Sequence, residues 1–156
     1  VNVDWDGLVV AFENRSQKIT HFFDRDTGEV AQCVAEREPK RHAELSASRR
    51  YIALPKDRGE RGRGEMELFL AEVGREKLRE KLRAAMSEAD PALAYREVLL
   101  SDPREEARFF QFKQRRARER AETWLASMGI PFERPPEPVK APREFPGGAP
   151  GGPKGR

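Results

Sequence analysis

The stretch from Asp102 to Ile130 constrains this chain more than any other. Asp102-Pro103-Arg104-Glu105 carries three agreeing signals for a helix start. An aspartate can cap the free N–H groups, a proline suits the first helical position, and a glutamate three residues on can reach back in a capping box. Ala107, Phe110, Ala117, Ala121, Trp124, Leu125 and Met128 then recur at helical spacing, and Phe109 and Phe112 widen the apolar face. Gly129 supplies a left-handed stop, and Pro131 prevents a restart. A helix this long and this apolar is buried on more than one side, so the rest of the chain must provide what covers it.

Upstream, Val3 to Asn14 reads as a helix. Trp5, Leu8, Val9 and Phe12 form one stripe, Asp4 is the cap, and Val3 and Leu8 hold the positions of a hydrophobic staple. Ile19 to Val34 reads as a β-hairpin: Ile19, His21 and Phe23 alternate on one face, and Val30, Gln32 and Val34 follow on the return strand. Between them Asp24 to Glu29 is the turn, with Gly28 at positive φ. A lone hairpin is marginal, so Tyr51-Ile52-Ala53-Leu54, just before Pro55, is the expected third strand. Residues 35–48 show charge without a clear period. Asp57 to Gly64 reads as a glycine-rich loop. Met66, Phe69, Leu70 and Val73 mark a helix from about Glu65, broken by Gly74. Leu78, Leu82, Ala85, Met86 and Ala89 mark the next, and Asp90-Pro91 restarts a short one to Leu100. The expected class is α+β: an N-terminal helix, a short antiparallel sheet, and a helical C-terminal half ending in one long helix.

With 156 residues the chain suits one domain, placed over residues 1–132. Residues 133–156 form a Pro/Gly-rich tail expected to be disordered, since the chain from Pro131 onward holds eight of the 12 prolines and cannot bury enough apolar surface to offset its ordering entropy. Cys33 is the only cysteine, which excludes an internal disulfide and suits a reducing compartment. No apolar run reaches the length of a membrane span, and no charged-then-apolar signal segment is present. These features imply a soluble cytoplasmic protein without a membrane partner.

Several short motifs suggest chemistry. Asp26-Thr27-Gly28 matches the signature of aspartic proteases, but that mechanism needs two carboxylates sharing a proton in an apolar loop, and there is one copy here. Phe22-Phe23-Asp24-Arg25-Asp26-Thr27 resembles the nucleophile strand of haloacid-dehalogenase phosphatases, whose doubly wound sheet this chain has no βαβ alternation to build. As a calcium loop the same stretch puts Ala35 where a bidentate glutamate is required. His21 and His42 are the only histidines, one on the hairpin's buried face and one in a charged linker, without metal-site spacing. Cys33 reads as a small core residue. The glycines at 59, 62 and 64 lack the Gly-Lys-Ser/Thr of a phosphate loop.

Two basic clusters remain: Arg49, Arg50, Lys56, Arg58, Arg61 and Arg63 around the third strand, and Lys113, Arg115, Arg116, Arg118 and Arg120 on the long helix. Phe109, Phe110, Phe112, Trp5 and Trp124 could stack on bases beside them. Interleaved acids and a net charge of only +3 favour solvated faces over a dedicated nucleic-acid surface.

The order of these pieces resembles a widespread bacterial family, uncharacterised protein family 0158. The resemblance rests on Val3-Asp4-Trp5-Asp6-Gly7-Leu8 with Ala11-Phe12-Glu13, on Phe22-Phe23-Asp24-Arg25-Asp26-Thr27-Gly28-Glu29-Val30, on Arg50-Tyr51-Ile52-Ala53-Leu54-Pro55, on Phe69, and on Trp124-Leu125 with Gly129-Ile130. Glu88 to Arg96 departs from it, standing where the family has a glycine-aromatic segment with basic residues. The resemblance implies the fold and carries no activity. The expectation is therefore a non-catalytic binding or adaptor protein with a protein partner and no cofactor. An RNA- or DNA-associated regulator using the basic clusters is the alternative, and a hydrolase is the third reading.

Overall fold

The hairpin forms where the sequence alternates. β1 (Ile19–Asp24) pairs antiparallel with β2 (Val30–Val34), Ile19 opposite Val34 and Phe23 opposite Val30. The chain turns through Asp24 to Glu29, and Gly28 takes a φ of 82°, a backbone state open to glycine. β3 (Tyr51–Ala53) pairs with the other side of β1, giving the order β2-β1-β3. This is a computed structural model; it describes residues 2–56 and 61–133, and of Arg61 the backbone only.

Both faces of this sheet are covered. α1 (Trp5–Glu13) is capped by Asp4, whose carboxylate accepts the Gly7 N–H at 3.0 Å. Its Leu8, Ala11 and Phe12 join Phe23, Leu54, Ala117, Ala121, Trp124 and Leu125 in one core. The other face carries Phe22 and Cys33, each about 1% exposed. α2 (Pro39–Ala47) packs beside β2 and β3 there, with the His42 ring edge-on to Phe22 at 5.7 Å. Residues 35–48, which show no period in sequence, thus include a helix, and His42 belongs to it rather than to a linker. α2 buries no residue of its own fully, which is why no apolar period marks it.

The remaining helices are α3 (Arg61–Leu70), α4 (Glu76–Ala85), α5 (Pro91–Leu100) and α6 (Pro103–Ser127). α3 starts inside the expected loop, so Arg61 to Gly64 are helical, while residues 57–60 lie outside the described chain. Asp90 caps α5 through the Leu93 N–H at 3.2 Å. Met66, Phe69, Val73, Leu78, Leu82, Ala85, Met86, Tyr95, Leu99 and Phe112 form a second core. Ala89, expected inward, is exposed.

α6 is the helix that the sequence announces most clearly. Asp102 caps it, accepting the Glu105 N–H at 3.3 Å. The reciprocal half of the capping box is absent: the Asp102 N–H donates to the Leu99 C=O, and Glu105 pairs with Arg108. Its end is a complete Schellman stop, with Gly129 at φ 71°, the Gly129 N–H on the Ala126 C=O at 3.1 Å and the Ile130 N–H on the Leu125 C=O at 3.0 Å. Met128, expected on the buried face, is 42% exposed. The chain divides into two compact units, parting between residues 60 and 61 and between Lys113 and Gln114. α6 supplies Phe112 to the helical core and Ala117, Ala121, Trp124 and Leu125 to the mixed one. The tail from residue 134 lies outside the described chain.

Candidate functional site

Asp24 ends β1 and is only 6% exposed, which makes it the one buried carboxylate of the motif-bearing turn. Arg50, just before β3, reaches it because Tyr51 stands opposite Asp24 in the sheet register. The guanidinium grips the carboxylate as a fork: Nε donates to Oδ1 and Nη2 to Oδ2, both at 2.8 Å. The Asp26 N–H at 2.9 Å and the Thr27 N–H at 3.4 Å also donate to Oδ1. The main chain closes the same knot. The Gly28 N–H donates to the Asp24 C=O at 2.7 Å, and the Arg25 N–H to the Arg50 C=O at 2.8 Å. Arg50 also stands 3.5 Å from Asp26 Oδ2 and lies over the Tyr51 ring at 5.4 Å.

The electrostatics follow from the geometry. Arg50's hydrogen bonds hold the Asp24 carboxyl well below the usual carboxylate range, against the opposing effect of burial, and the turn amides add to the lowering. The Asp24 hydrogen bond in turn pushes the Arg50 guanidinium up. A carboxylate so stabilised, with both oxygens occupied, is a poor base and a poor nucleophile. A protease pair needs two carboxylates against each other. Here Asp24 and Asp26 both face one cation, the Arg50 guanidinium, and not each other across a shared proton. The turn is a clasp that ties the hairpin tip to β3.

The match to known sequences runs through this clasp and beyond it. The Uncharacterised protein family (UPF0158) covers residues 2–138. The chain belongs to that family. No curated protein and no solved structure matches it.

The other candidate groups of this UPF0158 member stand as follows. His21 is buried, with Nε2 3.1 Å from Asn14 Nδ2, and burial, then the Lys56 charge, lowers its pKa from the ordinary 6.5. His42 Nε2 lies 3.4 Å from Thr20 Oγ1. Cys33 is buried. Among the described residues no group of three or more His, Cys, Asp or Glu is placed to hold a metal ion. No described helix is long and apolar enough to cross a membrane.

The basic residues are scattered, and several are engaged within the chain. In the sheet-bearing unit Arg50 belongs to the clasp, Arg49 is exposed, and Lys56 Nζ donates to the Gln17 C=O at 2.6 Å. On α6, Arg116 pairs with Glu119 at 3.3 Å, Arg115 is exposed, and Arg118 and Arg120 are half-buried. In the helical unit Arg63 takes the Met86 C=O at 3.1 Å, and Lys113 lies over the Phe109 ring at 5.1 Å. Arg58 and the Arg61 side chain lie outside the described residues. Most of the aromatics proposed for base stacking pack on other rings of the chain instead: Trp124 against Phe12 and Phe23, Phe109 and Phe112 against Phe69, Trp5 against Phe132. Phe110 is half-buried. Gly62 and Gly64 sit in α3 and form no phosphate loop.

Sequence reasoning names Asp24 and Arg50 separately and misses their union. The signal was available in the strand order: an arginine just ahead of a strand that pairs with the end of β1 lands beside the carboxylate that closes the turn.

Proposed function

We propose that this protein is a non-catalytic binding or adaptor protein of the cytoplasm whose partner is another protein. The observation that carries the reading is the Asp24–Arg50 clasp. The one turn whose sequence suggests hydrolytic chemistry spends its buried carboxylate on the fold, with both oxygens taken at 2.8 Å. The interaction of Arg50, Arg63 and Arg116 with groups of the chain itself weighs against a phosphate-tracking surface, which needs cations available to neutralise phosphates. The buried single cysteine suits a reducing compartment.

The experiment is an affinity capture with the tagged full chain, with and without nuclease treatment. Partners that persist after nuclease are expected. Their loss would move the reading to an RNA- or DNA-associated regulator. In a titration with random single-stranded RNA, binding is expected to be undetectable near physiological salt. Micromolar binding that survives there and falls when Arg115, Arg116 and Arg118 become Glu would overturn the proposal.

A further inference from the structure

The two edges of the sheet are finished differently. Along β1, Asp24 turns its peptide groups toward β2, donating to the Glu29 C=O, while Arg25 and His21 turn theirs toward β3, meeting the Arg50 C=O and the Leu54 N–H. By the alternation of an antiparallel ladder, Arg50, Ile52 and Leu54 bond inward, and Tyr51 and Ala53 aim their N–H and C=O groups outward. On β2 the outward groups belong to Val30, Gln32 and Val34. The chain itself occupies two carbonyls of that edge: the Gln32 C=O accepts Arg41 Nη1 at 3.1 Å, and the Val34 C=O accepts the N–H of Arg37 at 3.0 Å and of Glu38 at 2.9 Å. Among the described residues nothing bonds to the outward groups of Tyr51 and Ala53. Ala53 is exposed and Tyr51 half-buried. Pro55 has no N–H, so the donors of this edge end at Ala53.

Two exposed cations flank the open edge. Arg49 precedes it and Lys56 follows it; both are exposed, neither is ion-paired with a carboxylate among the described residues, and Lys56, whose Nζ gives one donor to the Gln17 C=O, keeps two more. A second copy pairing about Ile52 would bring Arg49 of one chain alongside Pro55 of the other and close to its Lys56, cation toward cation, so self-pairing is disfavoured. We propose that β3 is a docking strand that takes an extended peptide with acidic residues flanking a short β-forming stretch, added as a fourth strand against Tyr51 and Ala53. Backbone bonds supply the affinity, and the flanking carboxylates meet Arg49 and Lys56. This rests on the adaptor reading and names the chemistry of the partner.

The test uses the full chain and two labelled probes, the peptide Glu-Glu-Val-Thr-Val-Glu-Glu and its counterpart with Lys in place of Glu, followed by fluorescence anisotropy and by backbone amide spectra. The acidic peptide is expected to bind and to shift the Tyr51 and Ala53 amides. Ala53→Pro removes an outward donor and leaves the inward ladder intact, so binding is expected to fall about tenfold, the effect of losing one such bond. Should that variant not fold, an acidic peptide N-methylated at alternate residues removes the same kind of bond from the other side and is expected to bind the unaltered protein about tenfold more weakly. Arg49→Glu with Lys56→Glu is expected to reverse the preference between the probes. Equal binding of both probes, no effect of the lost donors, absence of binding at millimolar peptide, or self-association abolished by Ala53→Pro would each overturn the proposal. Captured protein partners that survive Ala53→Pro would sink the docking strand and leave the adaptor reading standing; capture of none would sink the adaptor reading itself.

Discussion

In the sheet-bearing unit the buried side chains come from distant parts of the chain: Leu8 and Phe12 of α1 meet Phe23 of β1 and Trp124 and Leu125 of α6. In the helical unit they come in sequence order, from Met66 through Leu82 and Leu99 to Phe112, each helix joined to the next by a short connection. The first unit adds a polar clasp between residues 26 apart in sequence, while the second uses an arginine at a helix end, where Arg63 Nη1 takes the C=O of Met86, the C-cap of α4, at 3.1 Å. The difference teaches how each is held. Long-range contacts must first overcome loop-closure entropy, so the first unit depends on a few large buried rings and on a charge-assisted bond that fixes register. Local helical contacts form cheaply, and the second packs its own rings, Phe69, Tyr95 and Phe112, among aliphatic neighbours drawn from successive helices.

The largest effect is expected at Phe23, fully buried in the central strand with its ring 5.9 Å from Trp124. Phe23→Ala should cost about 4 kcal/mol in urea denaturation, with amide protection lost first in the sheet. Leu82→Ala, at an equally buried site in the helical core, should cost about 3 kcal/mol. Both variants should move a single transition, because α6 supplies side chains to both cores. A two-step transition in Leu82→Ala would split residues 1–132 into two folding domains and deepen the contrast.

The clasp comes next. Asp24→Asn should cost about 2 kcal/mol, as expected for a hydrogen-bonded ion pair with one half-exposed partner, and should abolish no hydrolysis. Metal-dependent phosphatase activity that vanishes with this change would revive the hydrolase. The pH dependence has a definite sign. Asp24's folded pKa is depressed, so its stabilisation is present above the ordinary carboxylate pKa and is lost as pH falls through the lower folded value. His21's folded pKa is also depressed, so the unfolded chain takes its proton first, and stability begins to fall as pH drops below about 6.5. Asp24→Asn should therefore flatten the acid limb of the stability curve and leave the slope just below pH 6.5 unchanged. The smallest effect is expected at the stop of α6, where Gly129→Ala should cost about 1 kcal/mol, read as a small drop in melting temperature, because φ 71° strains a residue with a Cβ.

Much of this fold is legible from local signals. Asp4, Asp90 and Asp102 cap the helices that their positions announce, Gly28 and Gly129 adopt the positive φ that their turns require, and Tyr51–Ala53 joins the hairpin. α2 is illegible for a physical reason: it covers Phe22 and Cys33 with partly exposed residues, so no buried stripe marks it. The clue lay on the hairpin, whose second face carries Phe22 and Cys33 and had to be covered by something. The start of α3 is hidden by Gly62 and Gly64, which local propensity assigns to a loop and the helical core nonetheless includes in a helix.

By itself, then, the sequence determined what depends on neighbours a few residues away: caps, stops, strand alternation, the class of the fold and the family to which the chain belongs. Only the tertiary structure decided that Asp24 belongs to Arg50, that Phe69 gathers Phe109 and Phe112 while Phe23 gathers Trp124, and that, among the described residues, carbonyls of the β2 edge are taken by the chain while the outward groups of β3 are not. The reason is the range of the interactions. A cap or a stop is settled by one or two residues, whereas a salt bridge across strands, a core drawn from two ends of the chain, or an unpaired edge exists only once register and packing bring distant groups within a few ångströms.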